Sequence, residues 1–273
     1  MSTVAITGIT GLAGGRVGNA LRDAGHVVIG ISRRSDAPST GHTLRIVTDL
    51  TDAAMLAEAV AGCDTIFHFA DRADRRRYRV NNVGDAATVM AALRTAAARQ
   101  GIKRVVAASS VYADRDGRCN DLYGQSKRAM EAVGLAPEPG APAVILRLPP
   151  LHGPGARGAI RHIARAVEKG WILPLGLARA PRRFLALDSL ANLCVRLVEI
   201  DEDTFARARG LTFVPVDGQS ASLAALARAL GGGRTRLLPV PGVDRLIGGR
   251  VTSGQLERDR AGLRDAIGWQ ASR

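Results

Sequence analysis

The residues of this sequence best suited to chemistry are a tyrosine and a lysine four positions apart, Tyr123 and Lys127, in the segment D-L-Y-G-Q-S-K at 121–127. A tyrosine hydroxyl stays protonated at neutral pH, whereas a cation held close to it favours the phenolate. Residues at i and i+4 share one face of a helix, which places the ammonium beside the ring. Only three of the 38 basic residues are lysines, so a lysine at this spacing indicates chemistry. The pair predicts a tyrosine that acts as general acid and base.

A serine pair upstream can supply the hydroxyl that must bond the reacting oxygen. Ser109 and Ser110 follow an apolar run that is typical of a buried strand. The end of that strand would place a hydroxyl beside Tyr123, where it can polarise a carbonyl. We take Ser110, thirteen residues before Tyr123, as the first choice and Ser109 as the alternative.

A glycine-rich turn near the start of the chain is typical of a dinucleotide site. The segment T-G-I-T-G-L-A-G-G at 7–15 follows a short apolar run and precedes a helical pattern. Glycines there permit a tight turn and a close approach of backbone to pyrophosphate, and the start of the helix offers free N–H groups. The predicted cofactor contacts in this turn are Gly8, Thr10, Gly11, Leu12, Ala13 and Gly14.

The end of the second apolar run indicates which dinucleotide binds. A carboxylate at this point usually holds the adenosine ribose of NAD, whereas this chain has Ser32, Arg33 and Arg34. Two arginines without an acid suit the 2′-phosphate of NADP, because guanidinium groups bind phosphate through paired hydrogen bonds. The predicted cofactor is therefore NADP, with NAD as the alternative.

Apolar runs alternate with helical patterns through the first part of the chain, which predicts an α/β fold. The predicted strands are 4–7, 27–31, 43–47, 64–70, 103–109 and 143–147, and a further extended segment is 182–187. The order is typical of a Rossmann-like doubly wound parallel sheet. We expect a dinucleotide-binding domain at 1–155. A smaller mixed substrate lobe is expected at 156–273, with a strand that returns to the main sheet.

The composition argues against several other classes of protein. The arginines behind the net charge of +13 are dispersed, apart from a cluster at 72–79 that predicts either a solvated loop or an anion-binding edge. Aromatic residues make up 4% of the chain, so we expect no nucleic-acid partner. No apolar run is long enough for a membrane span, and the start lacks a signal-peptide pattern. Three scattered cysteines predict a cytoplasmic protein without a metal site.

Several further segments occur in a recognisable order. They are D-L-T-D at 49–52, H-F-A at 68–70, N-N-V-G at 81–84, R-L-P-P-L-H-G-P-G at 147–155 and R-F-L-A-L-D at 183–188. Together with the glycine turn, the serine pair and Y-G-Q-S-K, they make nearly the whole chain resemble the extended short-chain dehydrogenase/reductase family. The resemblance is to its NAD-dependent epimerase/dehydratase group, which acts on nucleotide sugars. The dehydratase branch carries an Asp-Glu pair after the hydroxyl residue, and S-V-Y-A at 110–113 has none.

The resemblance implies a role for each matching residue. Tyr123 would be the general acid and base, Lys127 would hold the nicotinamide ribose, and Arg183 would meet a substrate diphosphate. Further implied cofactor contacts are Asp49, Leu50, Phe69, Ala70, Asn81, Ala108 and Pro149. Asp71 stands where the family usually has a small residue, which marks it as a departure.

These features predict an NAD(P)-dependent oxidoreductase that reduces a keto group, for example the 4-keto group of a nucleotide-linked sugar or a smaller ketone. The first alternative is an NAD-dependent nucleotide-sugar 4-epimerase, in which a tightly held cofactor takes a hydride and returns it to the other face. The second is a non-catalytic cofactor-sensing protein, although such proteins commonly lose the Tyr/Lys pair. Because helices corresponding to 81–99 and 122–135 form a dimer bundle in this family, the resemblance also implies a homodimer.

Overall fold

Parallel strands in the first of two units of the chain form one continuous sheet. The unit comprises Met1–Leu148 and Ala191–Phe213. Its strands, numbered along the chain, are β1 (Thr3–Thr7), β2 (Val27–Ser32), β3 (Thr43–Ile46), β4 (Thr65–His68), β5 (Arg104–Ser110), β6 (Val144–Leu148) and β9 (Thr212–Phe213). The computed structural model describes residues 1–34, 41–71, 78–114, 121–156, 158–217, 222–247 and 250–271.

The order of the strands brings the ends of β1, β4 and β5 together. Across the sheet the order is β3-β2-β1-β4-β5-β6-β9, and every neighbouring pair is parallel. In the register of β1, Thr7 lies opposite Ile31 on one side and His68 on the other. Parallel strands covered on both faces are apolar almost throughout, as Val4, Ala5 and Ile6 are. The predicted Rossmann-like α/β class is confirmed.

Helices cover this sheet, as the alternation of apolar runs and helical patterns predicts. They are α1 (Leu12–Asp23), α2 (Ala53–Val60), α3 (Asp85–Arg99), α4 (Leu122–Leu135) and α7 (Glu202–Ala208), and α6 (Leu187–Glu199) runs into this unit. Before α3 the chain forms a short 3-10 turn, Val80–Asn82, in place of the first turn of the predicted helix. The start of α4 is fixed by Asp121, whose carboxylate accepts a hydrogen bond from the amide of Gly124.

A buried arginine joins α3 to the end of α4. Arg94 is 1% exposed, and its guanidinium donates to the carbonyl oxygens of Val133, Glu138 and Gly140. Val133 lies in the last turn of α4, whereas Glu138 and Gly140 follow the helix, so these bonds tie the segment after α4 to α3. Burial also lowers the pKa of Arg94. This contact holds together the two helices that lie beside the ends of β4 and β5.

The second unit comprises Pro149–Leu190 and Val214–Arg273. It contains a two-stranded parallel sheet of β7 (Leu151–His152) and β8 (Leu185–Ala186), together with α5 (Gly158–Glu168), α8 (Leu223–Leu230), α9 (Val243–Leu246) and α10 (Ser253–Ile267). Its own apolar core includes Ile160, Phe184 and Leu226. The extended segment expected at 182–187 forms only the two residues of β8. Along the described ranges, no helix combines the length and the apolar character that crossing a membrane requires.

His68 ends β4 as a buried, uncharged side chain. Its Nδ1 lies 2.7 Å from the hydroxyl oxygen of Thr7, which ties the ends of β1 and β4. Burial and the nearby charge of Lys127 lower the pKa of His68 to about 4, and the opposing charge of Asp71 only partly offsets them. At neutral pH His68 therefore adds no charge beside Lys127.

The buried histidine should make the protein less stable as the pH falls from about 6.5 to about 4. Over this window the unfolded chain binds a proton at residue 68 and the folded chain does not, so protonation favours unfolding. The linkage amounts to about 3 kcal/mol at the acid end of the window. Urea unfolding followed by circular dichroism, near neutral pH and near pH 4, would measure it.

The His68→Asn variant is the matched control, because the amide can still meet Thr7 but does not titrate. Carboxylates contribute equally to the acid sensitivity of both proteins, so the variant should lose less stability between the two pH values. An equal loss in both proteins would contradict the assignment of the effect to His68.

Candidate active site at the carboxyl edge of the sheet

The turn between β1 and α1 is shaped for close approach of a phosphate group. Gly8 has φ +74, and a Cβ there would lie 2.7 Å from the amide nitrogen of Ala70. A Cβ on Gly14 would collide with the carbonyl of Gly8. Gly11 caps α1 without a side-chain hydrogen bond, and the first turn contains no acid. The bare start of a helix attracts anions, so this turn fits the pyrophosphate of a dinucleotide.

The end of β2 and the segment after β3 carry residues that are predicted to contact the adenosine part of the cofactor. The Ser32 hydroxyl accepts a hydrogen bond from the amide of Arg34 at 3.1 Å, and Arg33 and Arg34 are exposed. Asp49 accepts hydrogen bonds from the amide and hydroxyl of Thr51, and these bonds lower the pKa of Asp49. Leu50 packs partly against the core of this unit. The carboxylate of Asp49 thus stabilises the turn that follows β3.

The end of β4 lies against the glycine turn. The amide of Phe69 donates to the carbonyl of Thr7 at 3.0 Å, and the amide of Ala70 donates to the Thr7 hydroxyl at 3.3 Å. The glycine turn at Gly8 touches the backbone of Phe69 and Ala70 so closely that no side chain fits between them. The backbone of Phe69 and Ala70, two predicted cofactor contacts, therefore borders the glycine turn directly.

Tyr123 and Lys127 lie in the first and second turns of α4. The ring centroid of Tyr123 is 5.9 Å from the Lys127 ammonium, 5.2 Å from the ring of Tyr78 and 5.9 Å from the ring of Tyr112. Lys127 is buried, and its Nζ donates to the carbonyl of Ala108 at 3.1 Å. This bond places the predicted tyrosine and lysine beside the end of β5.

A carboxylate that sequence reasoning did not assign to the site pairs with this lysine. Asp71 Oδ2 lies 2.5 Å from Lys127 Nζ, and the hydroxyl of Tyr78 donates to Asp71 Oδ1 at 2.7 Å. The only signal in the sequence was an acid where the resembled family has a small residue. Tyr78 gave no signal, because a contact between side chains seven residues apart, outside any regular helix or strand pattern, depends on the tertiary structure.

The two predicted serines have different partners. Ser109 donates to Glu131 of α4 at 2.5 Å, and Glu131 also pairs with Arg147 through Nε at 2.9 Å and Nη2 at 2.7 Å. The Glu131 carboxylate raises the pKa of Arg147, chiefly through this hydrogen bonding. Ser110 instead accepts a hydrogen bond from the amide of Tyr112 at 3.3 Å. The Ser109 hydroxyl is therefore hydrogen-bonded to the buried Glu131–Arg147 ion pair, whereas the Ser110 hydroxyl is not bonded to that pair.

Three further residues predicted to contact cofactor or substrate lie outside the cluster around Lys127. Asn81 is exposed in the 3-10 turn before α3, and Pro149 is buried at the start of the second unit. In that unit Arg183 pairs with Asp259 of α10, through Nε at 2.7 Å and Nη2 at 3.2 Å. Most of the arginine cluster at 72–79 lies outside the described residues. Among the described residues no group of His, Cys, Asp and Glu side chains could hold a metal ion.

Comparison with curated proteins finds relatives over about three fifths of the chain. It is 26% identical over 204 residues to a UDP-glucose 4-epimerase of Vibrio cholerae, a match that covers 62% of this chain and 59% of that protein. It is 28% identical over 201 residues to a 3 beta-hydroxysteroid dehydrogenase/Delta 5-->4-isomerase of Mycobacterium tuberculosis, which covers 63% and 53%. The chain therefore matches between about half and three fifths of the length of these relatives.

Solved structures share the fold along the full length. A UDP-N-acetylglucosamine 4-epimerase from Bacillus cereus superposes with a TM-score of 0.77 at 19% identity, covering 100% of this chain and 95% of that one. A UDP-glucose 4-epimerase from Thermotoga maritima gives 0.70 at 15% identity, covering 99% and 94%. The family model described as the NAD dependent epimerase/dehydratase family matches residues 4–206. As its motifs predicted, this chain belongs to the NAD-dependent epimerase/dehydratase family, within the extended short-chain dehydrogenase/reductases.

Proposed function

We propose that this protein is an NAD(P)-dependent oxidoreductase that reduces a keto group of a small substrate to a secondary alcohol. The observation that carries the proposal is the Tyr123/Lys127 pair on one face of α4, with Lys127 anchored to the carbonyl of Ala108. A hydroxyl placed at the reacting oxygen can transfer its proton as a general acid, and an ammonium on the same helix face can bind the cofactor beside it.

Each residue of the site has a distinct task in this proposal. The glycine turn and the end of β4 hold the dinucleotide, and Lys127 bonds its nicotinamide ribose. When bound, the reduced nicotinamide supplies the hydride that reaches the carbonyl carbon. Ser110 donates a hydrogen bond to the carbonyl oxygen, and Tyr123 transfers its proton to that oxygen as the alcohol forms. The phenolate is then reprotonated from solvent.

A nucleotide-sugar 4-epimerase is the second candidate. It is favoured by the similarity to the UDP-glucose 4-epimerase of Vibrio cholerae. In that reaction Tyr123 would remove the proton from a hydroxyl while bound NAD would accept the hydride from the same carbon. Hydride and proton would both return after the keto sugar has presented its other face. A nucleotide diphosphate would also have to draw Arg183 away from Asp259, because that guanidinium already has a carboxylate partner.

The Tyr123→Phe variant should lose catalysis and keep its cofactor. Removing a general acid costs roughly 10² to 10⁴ in rate, whereas the ring that packs against Tyr78 and Tyr112 remains. The oxidation of NADPH with a panel of keto substrates measures turnover, and quenching of nicotinamide fluorescence measures binding. Tyr112→Phe is the matched control, since it removes a hydroxyl from the neighbouring ring. Full activity in Tyr123→Phe would refute the proposed role.

The two serines can be separated by comparing rate with stability. Ser110→Ala should lower kcat by about 10²-fold, as loss of one donor to the reacting oxygen does, with little change in Tm. Ser109→Ala removes a bond to the buried Glu131 and should cost about 1 to 3 kcal/mol of stability. If Ser109→Ala instead loses more activity than Ser110→Ala at an unchanged Tm, Ser109 is the catalytic hydroxyl.

The residues after β2 should make the site prefer NADPH over NADH. Changing Arg33 and Arg34 together to Ala should weaken NADPH binding by about tenfold or more, since each charged contact to phosphate contributes strongly. NADH binding should change little. Arg207→Ala on the exposed face of α7 controls for the loss of charge. NAD that stays bound through purification would favour the epimerase over the reductase.

A further inference from the structure

Asp71 is held in place on both of its carboxylate oxygens. Tyr78 donates to Oδ1 at 2.7 Å, and the Lys127 ammonium lies 2.5 Å from Oδ2. Tyr78 is 4% exposed, and its ring packs edge-on against Tyr123. The Asp71 side chain is 21% exposed and that of Lys127 is 6% exposed. The ion pair is therefore positioned by buried neighbours and differs from a mobile pair on the surface.

The location of this carboxylate matters because Asp71 directly follows Phe69 and Ala70, the residues after β4 whose backbone borders the glycine turn. The amide of Ala70, one residue earlier, lies 2.7 Å from the point where Gly8 would carry a Cβ. In the proposed function, a dinucleotide with its pyrophosphate on the glycine turn would extend past this strand end to bring its nicotinamide ribose to Lys127. There it would meet the carboxylate of Asp71.

The hydrogen-bond capacity of Lys127 is limited. An ammonium has three N–H donors, and among the described residues two of them are directed to the Ala108 carbonyl and to Asp71. A carboxylate is a stronger partner for an ammonium than a neutral hydroxyl. One N–H remains, so a ribose that engages the ammonium through both of its hydroxyls must displace Asp71 from another.

We propose that Asp71 is a residue of the cofactor site that weakens dinucleotide binding, because its carboxylate occupies Lys127 and has to be displaced by the nicotinamide ribose. The inference rests on the proposed function, in which Lys127 bonds that ribose. The apparent affinity is the intrinsic affinity multiplied by the fraction of molecules in which Lys127 is available to the ribose. The pair thereby favours a cofactor that is exchanged at each turnover over one that is held permanently.

The Asp71→Asn variant tests this directly. Asparagine has nearly the same shape and its oxygen can still accept from Tyr78, but it presents no charge to Lys127. The dissociation constants of NADPH and NADH should both decrease by about tenfold. They are measured without substrate by the fluorescence of the reduced nicotinamide. Asp203→Asn, an exposed acid in the first turn of α7, controls for the general loss of a negative charge.

A double-mutant cycle shows whether Asp71 acts through Lys127. Lys127→Met should weaken binding, and adding Asp71→Asn to it should give no gain. A gain that persists without the lysine would mean that Asp71 repels the phosphates directly, and the proposal would be wrong. Asp71→Ala provides a second neutral side chain if the asparagine variant folds poorly.

Two other outcomes also overturn the inference. Weaker binding in both neutral variants would make Asp71 a ligand of the cofactor, and unchanged binding would place the pair outside its path. In either case binding by the wild type leaves the proposed function intact. Failure of the wild type and of every variant to bind either dinucleotide would refute the inference and the proposed function together.

Discussion

The buried ammonium of Lys127 is the feature on which the rest of the candidate site depends. A charge withdrawn from water is stable only with partners that replace its hydration. Lys127 finds them in the carbonyl of Ala108, near the end of β5, and in the carboxylate of Asp71, three residues after the neighbouring strand β4. The same charge helps to keep His68 neutral. One cation thus ties α4 to the ends of two strands and adds to the burial that keeps His68 neutral.

Three polar side chains of α4 lie at intervals of four residues and so share one face of the helix. Tyr123, Lys127 and Glu131 occur in successive turns and meet different groups. Lys127 pairs with Asp71, and Glu131 with Arg147. Each buried charge on the helix therefore has an opposite charge beside it, as a helix packed against a sheet requires. Because the second pair engages the Ser109 hydroxyl, the adjacent serines of β5 differ in what they can offer to a substrate.

Local patterns in the sequence were sufficient to predict the sheet and the glycine-rich turn after its first strand. Buried parallel strands are apolar on both faces, so β1, β2, β4, β5 and β6 stand out as short apolar runs. The exceptions have physical causes. The segment 182–187 has the composition of a strand, but only Leu185 and Ala186 form a strand within the described residues, beside β7. Arg182 makes an isolated bridge to Arg250. The helical pattern from residue 81 begins as a 3-10 turn, and α3 starts only at Asp85.

The sequence by itself determined the glycine turn, the i, i+4 spacing of Tyr123 and Lys127 and the motifs that assign the family, because each is a local pattern along the chain. Only the tertiary structure decided which polar and charged side chains meet. Ser109 and Glu131 are separated by 22 residues, and Arg183 and Asp259 by 76. Such pairs depend on which strand ends and helices pack together, a property of the fold that no spacing in the sequence encodes. For the same reason Asp71 could be noticed as an unusual acid, whereas its contact with Lys127 required the order of the strands.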